Sequence, residues 1–138
     1  ALPPLGEILK QNQVGWTFAR NGYEAAVLAP ITGTVLAVNQ NVREHPELIL
    51  EDPFHTGWLL MLEPVMPKRN LRGLYFDKES HAWMETEVQA LLGLMGPEYE
   101  RLAATGGQPI TDLFGHFPEI GWDHLVNRFL RSESKAHP

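Results

Sequence analysis

A chain of 138 residues, 43% hydrophobic and 20% charged, has the composition of an ordinary soluble domain with room for a core, which excludes a disordered tail. Its formal charge of −6 divides evenly, with four basic against seven acidic residues in 1–68 and seven against ten beyond, so neither half is a basic footprint for nucleic acid or anionic lipid. The absence of cysteine excludes disulfides, thiolate metal sites and thiol catalysis and is compatible with a reducing cytoplasm, the expected compartment; no apolar run approaches the roughly 20 residues of membrane insertion.

The first predicted elements are strands. Leu5–Leu9 is a short apolar segment, Trp16–Arg20 alternates up to Asn21-Gly22, and Tyr23–Leu28 returns. Asn and Gly both tolerate the positive φ of a tight I′ turn, so this pair predicts a two-residue hairpin loop. Ala29-Pro30 interrupts the returning strand, Thr32-Gly33 turns the chain, and Thr34–Val38 is the next strand. Asn39–Asn41 reads as a polar loop and Pro46–Ile49 as one helical turn, with proline in a permitted first position. Asp52-Pro53 punctuates, and Gly57–Leu62 reads as a buried strand. Pro64 and Pro67 bracket a change of period. From Asp77, a predicted N-cap, Met84, Val88, Leu91, Leu92 and Met95 recur at i, i+4, i+7, i+8 and i+11, one stripe of a helix that Gly96-Pro97 ends. Gly106-Gly107 and Pro109 mark a loop. In the last predicted helix Trp122, Leu125, Val126, Phe129 and Leu130 form a stripe expected to be buried on this chain's own sheet or on a partner. Asp123, Asn127 and Arg128 fall on its polar side, and Asp123 near the start with Arg128 and Arg131 near the end suits the helix dipole.

The run LPPLGEILKQNQVGWTFARNGYEAAVLAPITG, residues 2–33, resembles without a gap the central part of the glycine cleavage system H-protein, a lipoyl-carrier family. Leu2-Pro3, Gly6, the Ala29–Gly33 turn and the Val-rich strand after it have counterparts there, and "HPELI", "EDPF" and "GWLL" carry the resemblance to residue 64. It is weaker over 65–95 and absent beyond. The resemblance implies a barrel-sandwich hybrid, the fold of lipoyl and biotinyl carrier domains. The expected architecture is mainly β with C-terminal helices: an H-protein-like β-sandwich portion over 1–66, and a helical extension over 67–138 packing on it or on a partner.

In such carriers a lysine at a hairpin tip is amidated by lipoate, and its family position falls on Gly22. Glycine has no amine to acylate, the guanidinium of Arg20 stays protonated, and no lysine lies between Lys10 and Lys68. No lipoate, or any other cofactor, is therefore expected. The β-rich half that precedes this stretch in the family has no counterpart in the sequence. An incomplete sandwich exposes a strand edge and an apolar face. Further chain upstream, a partner chain or a second copy in a homo-oligomer would have to cover them.

The remaining candidates for chemistry read as surface. His81 and Glu85 share a helix face at i, i+4, but no further ligand accompanies them; His45, His55, His116 and His124 show no metal-ligand spacing. Glu51-Asp52 reads as a turn, and Ser80, Ser132 and Ser134 lack a nucleophile context. Neither a catalytic nor a metal site is expected. Tyr23 beside the tip could anchor a partner, although strand packing carries more weight. The hairpin tip Arg20, Asn21, Gly22 and Tyr23 is the expected partner contact. The expected role is a non-lipoylated docking or scaffold subunit of a multiprotein complex, not an enzyme, whose partners are other protein subunits. The alternative is an H-protein-type carrier acting in glycine cleavage or a related lipoate-dependent pathway.

Overall fold

The computed structural model describes residues 1–97, 99, 112–132 and 134–136, the last three by backbone alone. Asn21 and Gly22 have φ of 47° and 85°, so the two-residue loop forms as expected and sets Arg20 opposite Tyr23. It joins β2 (Val14–Arg20) to β3 (Tyr23–Leu28). The other sheet has the order β1-β4-β5, formed by Ile8–Leu9, Gly33–Val38 and Leu60–Pro64, all antiparallel. Gly33 lies opposite Pro64, and a Cβ at Gly33 would fall 2.6 Å from the Glu63 carbonyl oxygen; only glycine permits that approach. Leu9, Ala29 and Val35 are buried together at the heart of this half, with Val38 and Leu62 packed against them.

A third strand, β6 (Ser134–Ala136), adds antiparallel to β3 and gives the hairpin sheet the order β2-β3-β6. The body is thus sheet-rich with C-terminal helices. Among the described residues neither sheet closes into a barrel, in keeping with an open, incomplete sandwich.

Several local expectations need correction. Asn39–Asn41 is not a loop: Asn39 caps α1 (Gln40–Glu44), its Oδ1 accepting from the Asn41 N–H at 3.1 Å while its Nδ2 donates to the Thr56 and Trp58 carbonyls. The helical turn near Pro46 is α2 (Leu48–Glu51), and Pro46 lies outside it. The strand read from Gly57 begins at Leu60, because Gly57 instead donates its N–H to the Asp52 carbonyl at 2.8 Å. An unexpected short helix, α3 (Pro67–Leu71), starts on Pro67 and buries Asn70, which accepts from the Thr32 N–H at 2.9 Å and donates to Gln11 Oε1 at 2.9 Å.

The long helix α4 runs Lys78–Met95 and ends at Gly96, as its period predicts. Asp77 makes no side-chain cap; it has a φ of 46°, and its carbonyl accepts from the Ser80 hydroxyl at 2.6 Å. The apolar stripe turns inward only over its C-terminal part. Leu91, Leu92 and Met95 of the stripe are half-buried, whereas Met84 and Val88 are exposed; Trp83, Glu87, Ala90 and Leu94 also turn inward. Glu87 is the buried member, held by Arg128 at 3.2 Å and Arg131 at 3.6 Å. Those arginines fix the rotation of the helix.

The loop at Gly106-Gly107 and Pro109 lies outside the described residues. After it come α5 (Leu113–His116), a 3-10 turn (Pro118–Ile120) and α6 (Trp122–Leu125), which passes into a π turn over Val126–Leu130. Arg131, at φ 54°, ends that turn. The last predicted helix is therefore an α turn followed by a π turn rather than one regular cylinder.

Candidate functional site

The two groups of residues that the sequence singles out meet at the β2–β3 hairpin. Asn21 and Gly22 are exposed at its apex. Arg20 and Tyr23, one on each side, point their side chains to the C-terminal segment. The Arg20 guanidinium grips Asp112 with both terminal nitrogens, Nη1–Oδ1 at 2.6 Å and Nη2–Oδ2 at 2.8 Å, a planar two-bond fork. Tyr23 packs on Phe114 edge-on at 5.0 Å and on Trp122 at 5.5 Å, while Phe114 and Trp122 meet edge-on at 5.2 Å. Arg20 also lies 6.0 Å from the centre of the Phe114 ring.

Each partner is positioned for a local reason. Asp112 is the N-cap of α5, and its Oδ1 accepts from the Gly115 N–H at 3.0 Å. The Arg20 hydrogen bonds, and then that from Gly115, hold the Asp112 carboxyl down at about 2; the same contact raises the Arg20 guanidinium above its ordinary value. Trp122 is tied to the hairpin by its indole N–H, which donates to the Glu24 carbonyl at 2.8 Å. Further along β3, the Ser132 hydroxyl donates to the Ala26 carbonyl. The C-terminal segment thus lies along the third strand.

Of the helical stripe, Val126 is buried, Trp122, Leu125 and Phe129 are half-buried, and Leu130 is exposed. Asp123 and Asn127 face solvent, whereas Arg128 is half-buried through its bond to Glu87 and sits 5.2 Å from the Phe129 ring centre. Between this stripe, the hairpin and α2 lies an open groove of about 1080 Å³, lined by Phe18, Leu50, Leu91 and Phe129 among others.

The other candidates are placed as follows. Asp52 accepts from the Thr56 N–H at 3.1 Å and the Thr56 hydroxyl at 3.0 Å, with His55 at 3.0 Å; these bonds, the Thr56 N–H first, hold its carboxyl below the ordinary range and make it a turn-closing group. His45 pairs with Glu47 at 3.2 Å, and His116 Nδ1 lies 2.7 Å from the Asp112 carbonyl oxygen. His81 and Glu85 are exposed on α4. Among the described residues no group of three or more His, Asp or Glu is arranged to hold a metal ion.

Two members of the site, Asp112 and Phe114, have no place in the sequence reading. One signal was available: an Asp directly before Leu-Phe-Gly-His is an N-cap pattern. Its partner Arg20 is 92 positions away, a separation that no local pattern encodes. Chemically the tip joins a guanidinium–carboxylate fork and an aromatic cluster beneath an exposed turn.

A family model described as "Glycine cleavage H-protein" matches residues 2–87. The chain is similar to the glycine cleavage system H protein of Magnetococcus marinus, 40% identical over 77 residues covering 54% of this chain and 54% of that one. It is similar also to that of Anaeromyxobacter sp. strain K, 34% identical over 67 residues covering 49% and 52%. The chain spans about half the length of the curated relatives it matches. A solved glycine cleavage system H protein from Mycobacterium marinum superposes on 53% of this chain and 64% of its own, with a TM-score of 0.45 and 23% identity.

Proposed function

This chain belongs to the glycine cleavage H-protein family, and from that membership we propose that it is a non-enzymatic, H-protein-type component of glycine cleavage or a related lipoate-dependent pathway. Family membership favours this pathway, the carrier alternative, over a scaffold unrelated to it. Within the pathway we read the chain as a docking component without an arm of its own, its partners being other protein subunits. Residues 1–66 supply the carrier-like surface, and from the extension over 67–138 the described Asn70, Asp112, Phe114 and Trp122 rest on it.

One observation carries the armless reading: glycine at the exposed apex of the hairpin, at φ 85°, with no lysine between Lys10 and Lys68. An amide to lipoate needs a primary amine, and the cation that the hairpin itself carries at its tip, Arg20, is a guanidinium already committed to Asp112.

Incubation with a lipoate ligase, ATP and lipoate, followed by intact-mass measurement, tests this. The armless reading expects no adduct on the native chain. A stoichiometric lipoyl adduct would assign it the carrier role with an arm.

A further inference from the structure

We propose that the tip of the β2–β3 hairpin is a recognition site for a short Asp-x-Phe segment of a protein partner, and that Asp112-Leu113-Phe114 of this chain occupies that site in cis. The proposal rests on the reading of the tip as a docking element and sharpens it to the partner's chemistry.

The contact has the form of two-point peptide recognition. At one point Arg20 binds both oxygens of a carboxylate, at 2.6 and 2.8 Å, a geometry that selects a planar acid over a hydroxyl or amide. At the other, an aromatic ring two positions on enters a recess walled by Tyr23 and Trp122, 5.0 and 5.2 Å from its centre. The guanidinium lies over the same ring at 6.0 Å, which couples the two points. An acid without the ring, or a ring without the acid, satisfies half of the site.

The cis occupant is placed to exchange. The Arg20 and Asp112 side chains retain 44% and 39% of their exposure, so water and competing carboxylates reach the ion pair without any opening of the core. Beside the recess the groove between Phe18, Leu50, Leu91 and Phe129 leaves apolar surface for residues flanking an incoming motif. The cis segment is also tied to β3 through Trp122 and Ser132, so only a partner that adds contacts in this groove displaces it.

The test uses the 138-residue chain and a fluorescein-labelled peptide, Thr-Asp-Leu-Phe-Gly-His-Phe, the chain's own residues 111–117. Fluorescence polarisation is read on the native chain, on Asp112→Asn and on Asp112→Asn with Phe114→Ala. The proposal expects the peptide to bind the double variant at least tenfold more tightly than the native chain, with Asp112→Asn between them. Adding Arg20→Gln, or replacing Asp by Asn in the peptide, should abolish binding. Far-ultraviolet circular dichroism and the melting transition establish that each variant is folded. If the double variant does not fold, the single variant carries the comparison.

Absence of peptide binding to a folded Asp112→Asn chain as the protein is titrated overturns the proposal. So does a native dimer that Asp112→Asn dissolves, which would make a second copy the occupant. A chain that accepts lipoate yet still exchanges the peptide loses the armless reading and keeps this one.

Discussion

Gly22 and Arg20 stand two positions apart on the hairpin and answer to different constraints. At φ 85°, Gly22 holds a conformation that β-branched residues avoid, so Gly22→Val should cost about 1–2 kcal/mol in urea unfolding. Gly22→Lys should cost less, since lysine is unbranched at Cβ, and it would place an amine at the apex. Equal stability of native and Gly22→Val chains would rule out the I′ turn. Arg20 acts through Asp112, whose folded carboxyl titrates at about 2 against an ordinary 3.8. Because the folded value is the lower one, the pair's contribution is complete above pH 4 or so and is lost as pH falls towards 2. Acid-unfolding curves of native and Arg20→Ala chains should therefore converge across that window. A difference that persists unchanged at the acid end would remove the linkage. Gly22 was legible in the sequence because a two-residue loop demands positive φ locally. The Arg20–Asp112 fork was not, since its specificity lies in a tertiary approach.

The elements divide along the same line between local rule and tertiary placement. Period alone located α4, whose 18 residues follow the expected spacing, but period does not fix rotation. The N-terminal half of α4 turns Glu87 and Trp83 inward in place of Met84 and Val88, because Glu87 meets Arg128 and Arg131 and Trp83 stacks on Tyr75 at 5.9 Å. Val88→Thr, on the outward side, should change stability by no more than about 0.5 kcal/mol. Leu94→Ala, on the inward side, should cost about 1–2 kcal/mol, below the range for a fully buried leucine because Leu94 is half-buried. The reverse ranking would restore the stripe through Met84 and Val88. Phe129→Ala should cost about 2 kcal/mol for the same reason of partial burial. Short helices were the least legible. α1 and α3 carry too few apolar residues for a period, and each hangs on one buried asparagine, Asn39 or Asn70, whose partners come from other elements.

At the scale of the molecule, the buried hydrophobic core among the described residues is small: Leu9, Ala25, Ala29, Val35, Val42 and Val126. Large apolar side chains meanwhile stand in solvent, with Phe54 91% and Leu50 85% exposed and Val65, Met66, Tyr75 and Phe76 more than half exposed or nearly so. Exposure of this kind promotes association. The average mass from light scattering should therefore rise with protein concentration, and Phe54→Ser should reduce that rise. A single monomer mass across the range would show that these side chains do not associate. Val35→Ala, at the centre of the core, should cost about 2 kcal/mol. The architecture also sets an order of events during synthesis. The β1-β4-β5 sheet draws only on residues 8–64 and can form as soon as they emerge, but β3 gains its outer neighbour only from residues 134–136. At translation rates of about 5–20 residues per second, a newly made hairpin spends several seconds with that edge bare. A message cut short before residue 122 would leave it bare for good. Truncated chains are then the species on which strand-edge aggregation should begin, and on which chaperones should act first.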